Sequence, residues 1–289
     1  EDIYNLKTKE IPDGDVVVGG FPCQGFSIAN PYRTEEDKRN LLFVPMAKII
    51  KEKKPKYFIG ENVQGLTNIG GYETEDDRKR KTGRMFKLVL SEFASVGYKV
   101  YWNLFDVSKL GIPQKRKRII IFGIREDLFD GRRPCFFYGK KESITKTVRD
   151  AIGDLPKEFT ENIPNHTGTK HKVKINGYIG NRATKWDEPS PTIVGRGGGT
   201  GGPVIIPHPD LHRRLSVREC ARIQTFPDDF IFEGSNSSQY RQIGNAVPVR
   251  FGFLLGRFLE DYDSDRHSGD KCIKFQEFKG KQYAEKLFD

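Results

Sequence analysis

Apolar residues along this chain alternate between short unbroken blocks and stretches at helical spacing. Residues 15–20 (DVVVGG) are continuous and β-branched, which predicts a buried strand covered on both faces, as in a parallel sheet. Residues 41–54 (LLFVPMAKIIKEKK) show helical spacing and close on lysines before Pro55, so a helix is expected there. "KYFIGEN" (56–62) reads as a second strand ending in polar residues. A further helix is expected from about Arg84 to Val96 with Gly97 as its C-cap, followed by strands at 98–105 and 118–124. Strands alternating with helices predict an α/β fold built on a doubly wound, mostly parallel sheet. Ligands of such sheets gather beyond the carboxyl ends of the strands, where "GGFPCQ" and "GEN" both fall.

Between residues 130 and 212 the periodicity fades and Gly, Pro, Lys and Thr dominate, including "GRGGGTGGP" (195–203). This predicts a smaller, irregular domain or loops that order on a partner. A helix returns in 213–227, where Ser216 suits the N-cap and Glu219 completes a capping box, and another is expected within 244–262. The resulting division is 1–129, 130–212, 213–262 and a polar tail at 263–289.

Composition narrows the function classes. The chain carries 49 Lys+Arg against 39 Asp+Glu, a net charge of +10, which suits a polyanionic partner, nucleic acid first. No run of about 18 apolar residues is present, so no membrane span is expected, and the first ten residues have no secretory apolar core. The four cysteines (Cys23, Cys135, Cys220, Cys272) are widely spaced with no CxxC pair. Neither a metal site nor a disulfide framework is expected, and a reducing cytoplasm is the expected compartment.

Candidate chemistry clusters at the strand ends. Cys23 sits just past the first strand, with Pro22 fixing its own φ and restricting Phe21. A thiol so presented becomes a nucleophile if neighbours favour the thiolate; the bland alternative is a packed, inert cysteine. Glu61 ends the next strand and could hold or deliver a proton. Gln114, Arg116 and Arg118 alternate and are expected to share one face as the chain enters a strand. Arginine forks there suit phosphate or carbonyl oxygens.

The motifs "FPCQGFS", "ENV", "QKRKR", "RRLSVRECARIQTFPDDF" and "QIGNAVPV" occur in this order along the chain. In this order and spacing the sequence resembles the DNA cytosine-5 methyltransferases, of the bacterial restriction–modification type, over residues 1 to about 260. The resemblance implies a class I S-adenosylmethionine-dependent methyltransferase fold with a target-recognition domain near 130–212. It implies that Cys23 adds to carbon 6 of a cytosine flipped out of duplex DNA, so that carbon 5 accepts the methyl group. Glu61 would contact ring nitrogen 3 and the exocyclic amine, and Arg118 the base oxygen, with Arg116 nearby. Asp2, Ile3, Pro22, Leu42, Asn245 and Val247 would contact the cofactor, whose product is S-adenosylhomocysteine; no metal is implied. Ser27, Arg33, Arg39, Gln114 and Arg196 would contact DNA, while Cys220 would be a core residue.

The family opens with a strand and a glycine-rich cofactor loop, and no such segment precedes "PCQ" here. The expectation is that this segment lies outside the given sequence or on a separate polypeptide, and that the chain alone binds cofactor poorly. Methylation of tRNA cytosine by the same chemistry, and a non-catalytic DNA-binding relative, stay open as alternatives.

Overall fold

A computed structural model describes residues 3–21, 43–140, 144–168, 184–195, 206–211, 213–267 and 269–280. The described chain groups into two compact units. The first contains residues up to Phe105, Lys117–Cys135 and the segment from Ile273; the second contains Asp106–Arg116 and Phe136–Cys272.

The first unit is built on a five-stranded sheet of order β1-β2-β4-β3-β7. Strand β1 (Val16–Gly20) leads through α1 (Phe43–Lys53) to β2 (Tyr57–Val63), and the two strands pair in parallel. Two helices, α2 (Glu75–Arg80) and α3 (Arg84–Ser95), precede β3 (Tyr98–Asp106) and β4 (Lys117–Arg125). Gly97, at φ +91, takes the left-handed turn between α3 and β3, a conformation glycine adopts without a Cβ penalty. The α/β class read from the sequence is the one adopted. The sheet is mixed, however: β2 pairs with β4, and β3 with β7 (Gln276–Glu277), in antiparallel fashion. No hydrophobic signal separates the two senses, because a central strand buried on both faces is continuously apolar in either.

Register assigns the faces. Phe58, Gly60 and Asn62 lie opposite Gly123, Ile121 and Ile119, whereas Tyr57, Ile59, Glu61 and Val63 lie opposite Ile124, Phe122, Ile120 and Arg118. The first face carries the main core, where Phe58, Ile119 and Ile121 join Met46, Ile50, Phe86, Val89 and Phe93 of α1 and α3. Phe58 lies so flat over β4 that a Cβ on Gly123 would fall 1.8 Å from its Cε1. On the other face Tyr57 stacks on Phe122 at 5.7 Å, and Phe122 meets Phe275 at 6.3 Å. Phe275 is fully buried and precedes β7. The stretch expected as a polar tail therefore supplies both a core aromatic and a sheet strand. Scattered phenylalanines among charges are too sparse a periodic signal to predict this.

The second unit gathers α4 (Val148–Ile152), α5 (Val217–Ile223) and α6 (Asn236–Asn245) around Ile152, Ile193, Ile206, Leu215, Cys220, Phe232 and Ile243. Ser216 caps α5 and Glu219 closes the capping box, as the sequence predicts. Helix α7 (Val249–Asp263) packs Phe251 and Phe258 against Phe136 of β5 (Cys135–Tyr138). Residues 213–262 group with the second unit, where Leu215, Cys220, Phe232 and Ile243 share a core with Ile193 and Ile206.

Strand β6 (Lys271–Lys274) pairs with β5. Cys135 and Cys272 are each disulfide-bonded, contrary to the expectation drawn from cysteine spacing. Cys220 is a buried core residue, and desolvation pushes its thiol up to about 12.

Candidate active site at the strand ends

In the first unit two expected catalytic residues come together. Glu61 and Arg118 share a sheet face as diagonal neighbours, because Glu61 lies opposite Ile120 and Arg118 opposite Val63. Long side chains reach across such a diagonal. Arg118 Nε lies 2.6 Å from Glu61 Oε1, with only 10% and 19% of the two side chains exposed. A second nitrogen, Arg118 Nη1, donates to the Lys117 carbonyl at 2.8 Å. The parallel ladder between β1 and β2 ends at Gly20 opposite Glu61, so the carboxylate marks the level at which β1 gives way to "FPCQ". The arrangement offers a polar ring both an acceptor and a fork of donors in a partly desolvated place, where charge–dipole contacts are stronger than in water.

Asn62, 1% exposed, points to the opposite face. Its Nδ2 donates to the Phe21 carbonyl at 3.2 Å, and its Oδ1 accepts from Val63 N at 2.8 Å. Phe21 is 6% exposed. Its ring meets Phe43 at 6.2 Å and Phe93 at 6.4 Å. Neither Asn62 nor Phe21 was marked by sequence reasoning. Their only sequence signal is adjacency, Asn62 to a candidate carboxylate and Phe21 to the proline before a candidate thiol.

Gln114 and Arg116 lie outside the strand that carries Arg118. Strand β4 starts only at Lys117, and the two residues before it fold into the second unit, where Gln114 bridges to Ser190. Arg116, 1% exposed, donates to the carbonyls of Ile193 (2.7 Å), Gly244 (3.1 Å) and Ala246 (3.0 Å). Gln114 is fully buried; its Nε2 donates to Gln224 Oε1 at 2.8 Å and its Oε1 accepts from Ile193 N at 2.9 Å. Gln224 Nε2 in turn donates to the Ile243 carbonyl at 2.6 Å. A buried amide with both ends engaged acts as a brace.

Asn245, exposed, and Val247, partly buried, flank Ala246, whose carbonyl accepts from Arg116. Ile3, 36% exposed, sits on a short 3-10 turn. Cys23, Asp2, Pro22, Leu42, Ser27, Arg33, Arg39 and Arg196 lie outside the described residues. Among the described residues no group of three or more His, Cys, Asp or Glu side chains is gathered as metal ligands, and no helix is long and apolar enough to cross a membrane.

Comparison with known proteins bears on this geometry. The family model for C-5 cytosine-specific DNA methylase matches residues 1–259. Type II methyltransferase M.BspRI of Lysinibacillus sphaericus is 34% identical over 294 aligned residues, covering 90% of this chain and 65% of that protein. For Type II methyltransferase M.BsuRI of Bacillus subtilis the identity is 37% over 270, covering 84% and 58%. The chain thus spans less than two thirds of the length of these relatives. A prophage-encoded E. coli structure assigned as a DNA modification methyltransferase aligns at a TM-score of 0.65 with 22% identity, covering 91% of this chain and 85% of that one; likeness at that identity speaks for the fold.

Proposed function

Because the chain belongs to the C-5 cytosine-specific DNA methylase family, we propose that it carries out methyl transfer to carbon 5 of a cytosine flipped out of a specific duplex DNA sequence, with Cys23 as the nucleophile. The observation that carries this reading is the Glu61–Arg118 pair at 2.6 Å, held at the level where β1 runs out toward Cys23.

S-adenosylmethionine, when bound, supplies a methyl group on a cationic sulfur, open to attack by a carbon nucleophile. The chain's own residues make the base into that nucleophile. The Cys23 thiolate forms a bond to carbon 6, and the ring electrons move toward nitrogen 3, where Glu61 delivers a proton. Arg118 holds the base oxygen and, through its ion pair, keeps the Glu61 carboxyl aimed at the ring. Carbon 5 takes the methyl group and the nitrogen 3 proton returns to Glu61; loss of the carbon 5 proton then restores the 5,6 double bond and expels Cys23 as thiolate. Flipping is required because carbons 5 and 6 are stacked within a duplex. The net charge of +10 favours the phosphate contacts that fix register on DNA.

The test is covalent trapping. Incubated with S-adenosylmethionine and duplex DNA containing 5-fluorocytosine at the methylated site, the protein is expected to form a denaturation-resistant adduct, and Cys23→Ser none. Absence of both adduct and methyl transfer in the unsubstituted protein, tested with the family's N-terminal cofactor-loop segment supplied, would sink the reading.

A further inference from the structure

We propose that Asn62 is a positioning residue for the nucleophile, acting through the Phe21 carbonyl, and that the Phe21–Phe43 ring pair is the second half of the same clamp. The inference rests on the reading of Cys23 as nucleophile.

Backbone pairing between β1 and β2 stops at Gly20 opposite Glu61. The next carbonyl, that of Phe21, is instead bound by a side chain, Asn62 Nδ2 at 3.2 Å. Asn62 is itself fixed, because its Oδ1 accepts from Val63 N at 2.8 Å and it is almost wholly buried. One asparagine therefore extends the sheet's hold on the chain by one residue, after the regular ladder has ended. Pro22 follows, with no N–H and a fixed φ, and it narrows the backbone choices of Phe21 as well. From the clamped Phe21 Cα to the Cys23 Cα is at most about 7.6 Å, two trans peptide units.

The ring contacts act at both ends of the intervening segment. Residues 22–42 begin one position after Phe21 and end one position before Phe43, whose rings meet at 6.2 Å and 62°. Phe93 of α3 backs the pair at 6.4 Å from Phe21. All three phenylalanines belong to the first unit's core and are at most 6% exposed. The aromatic clamp sets the position of Phe21 and the Asn62 amide sets its rotation. On the other face of β2, Glu61 meets Arg118. Adjacent residues of one strand thus serve the two partners of one reaction, the base and the attacking sulfur. A misplacement on the scale of 1 Å in such a constellation costs about 100-fold in rate.

The experiment compares Asn62→Ala and Phe43→Leu with the unsubstituted protein by two measurements. The first is the rate of adduct formation on duplex DNA carrying 5-fluorocytosine, with DNA affinity measured in parallel. The second is the rate of Cys23 alkylation by iodoacetamide as a function of pH, without DNA, on protein checked by circular dichroism. Both variants are expected to form adduct at least 10-fold more slowly at unchanged DNA affinity, and to shift the rate or pH profile of alkylation. A folded Asn62→Ala variant that matches the unsubstituted protein within twofold in both measurements overturns the proposal. If Asn62→Ala does not fold, Phe43→Leu decides by the same criteria. If the unsubstituted protein forms no adduct with the N-terminal cofactor-loop segment supplied, the functional reading fails, and unchanged alkylation of the variants would then reject the clamp separately.

Discussion

Arg118, at the head of β4, ends 2.6 Å from a carboxylate, whereas Arg116, two residues earlier, ends on the backbone carbonyls of Ile193, Gly244 and Ala246. In the second unit Arg218 repeats the Arg116 pattern, with Pro164, Pro227 and Phe230 as its acceptors. The difference separates two uses of one side chain. An arginine pointed at a carboxylate on a partly open sheet face presents a charge pair that a ligand can join. An arginine buried among carbonyls ties loops together, since its planar fork satisfies several acceptors that would otherwise be desolvated without partners.

The comparison can be broken from either side. Arg118→Ala is expected to have the largest effect, cutting methyl transfer by about 100- to 1,000-fold, as for removal of one preorganised donor; transfer of labelled methyl groups to duplex DNA measures it. Arg116→Met is expected to act on folding, lowering stability by about 3 kcal/mol through loss of charge-assisted hydrogen bonds, read from urea unfolding. A variant of full stability that had lost catalysis would return Arg116 to the catalytic role expected from the sequence.

A smaller effect belongs to Glu92 on α3, which is 1% exposed with neither carboxylate oxygen hydrogen-bonded among the described residues. Burial raises its pKa, against the opposing pull of Lys51. The folded state therefore holds this proton to higher pH than the unfolded chain does, so stability falls as pH rises above the unfolded carboxyl value of 4.5. Glu92→Met is expected to stabilise the protein by about 1–3 kcal/mol at neutral pH and to lose that advantage below pH ~4, as thermal melting across pH would show. The smallest effect is expected at Glu188, whose carboxyl is held at about 2 by Lys115 and Lys185. It is exposed, and exposed pairs contribute little, so Glu188→Gln should leave the melting temperature unchanged at physiological salt.

The strands and helices around the site were legible in the sequence, because β-branched blocks and lysine-ended apolar helices are local signals. The α5 cap was legible for the same reason. Thr74-x-x-Asp77 and Thr147-x-x-Asp150 form equivalent capping boxes and carried the same signal, but the helices they start are only six and five residues long, too short for periodicity to draw attention. The Glu61–Arg118 encounter depends on antiparallel register between strands distant in sequence, which no local pattern encodes. The same holds for Gln114 and Arg116: their alternation with Arg118 suggested one face, but the strand starts after them. The Phe21 carbonyl was invisible because a backbone acceptor leaves no mark in a sequence.

Gly123 has a consequence for how this protein can change over generations. A methyl group there would collide with Phe58, whose ring lies 4.7 Å from Phe93, which in turn backs Phe21. A substitution on β4 would therefore be transmitted by ring-to-ring displacement to Phe21, two residues before the proposed nucleophile. Positions 58, 93 and 21 should then be epistatic with position 123: an alanine at 123 that is harmful alone would become tolerable once a smaller residue at 58 has made room, and the order in which the two changes arise would decide whether the lineage keeps its activity along the way.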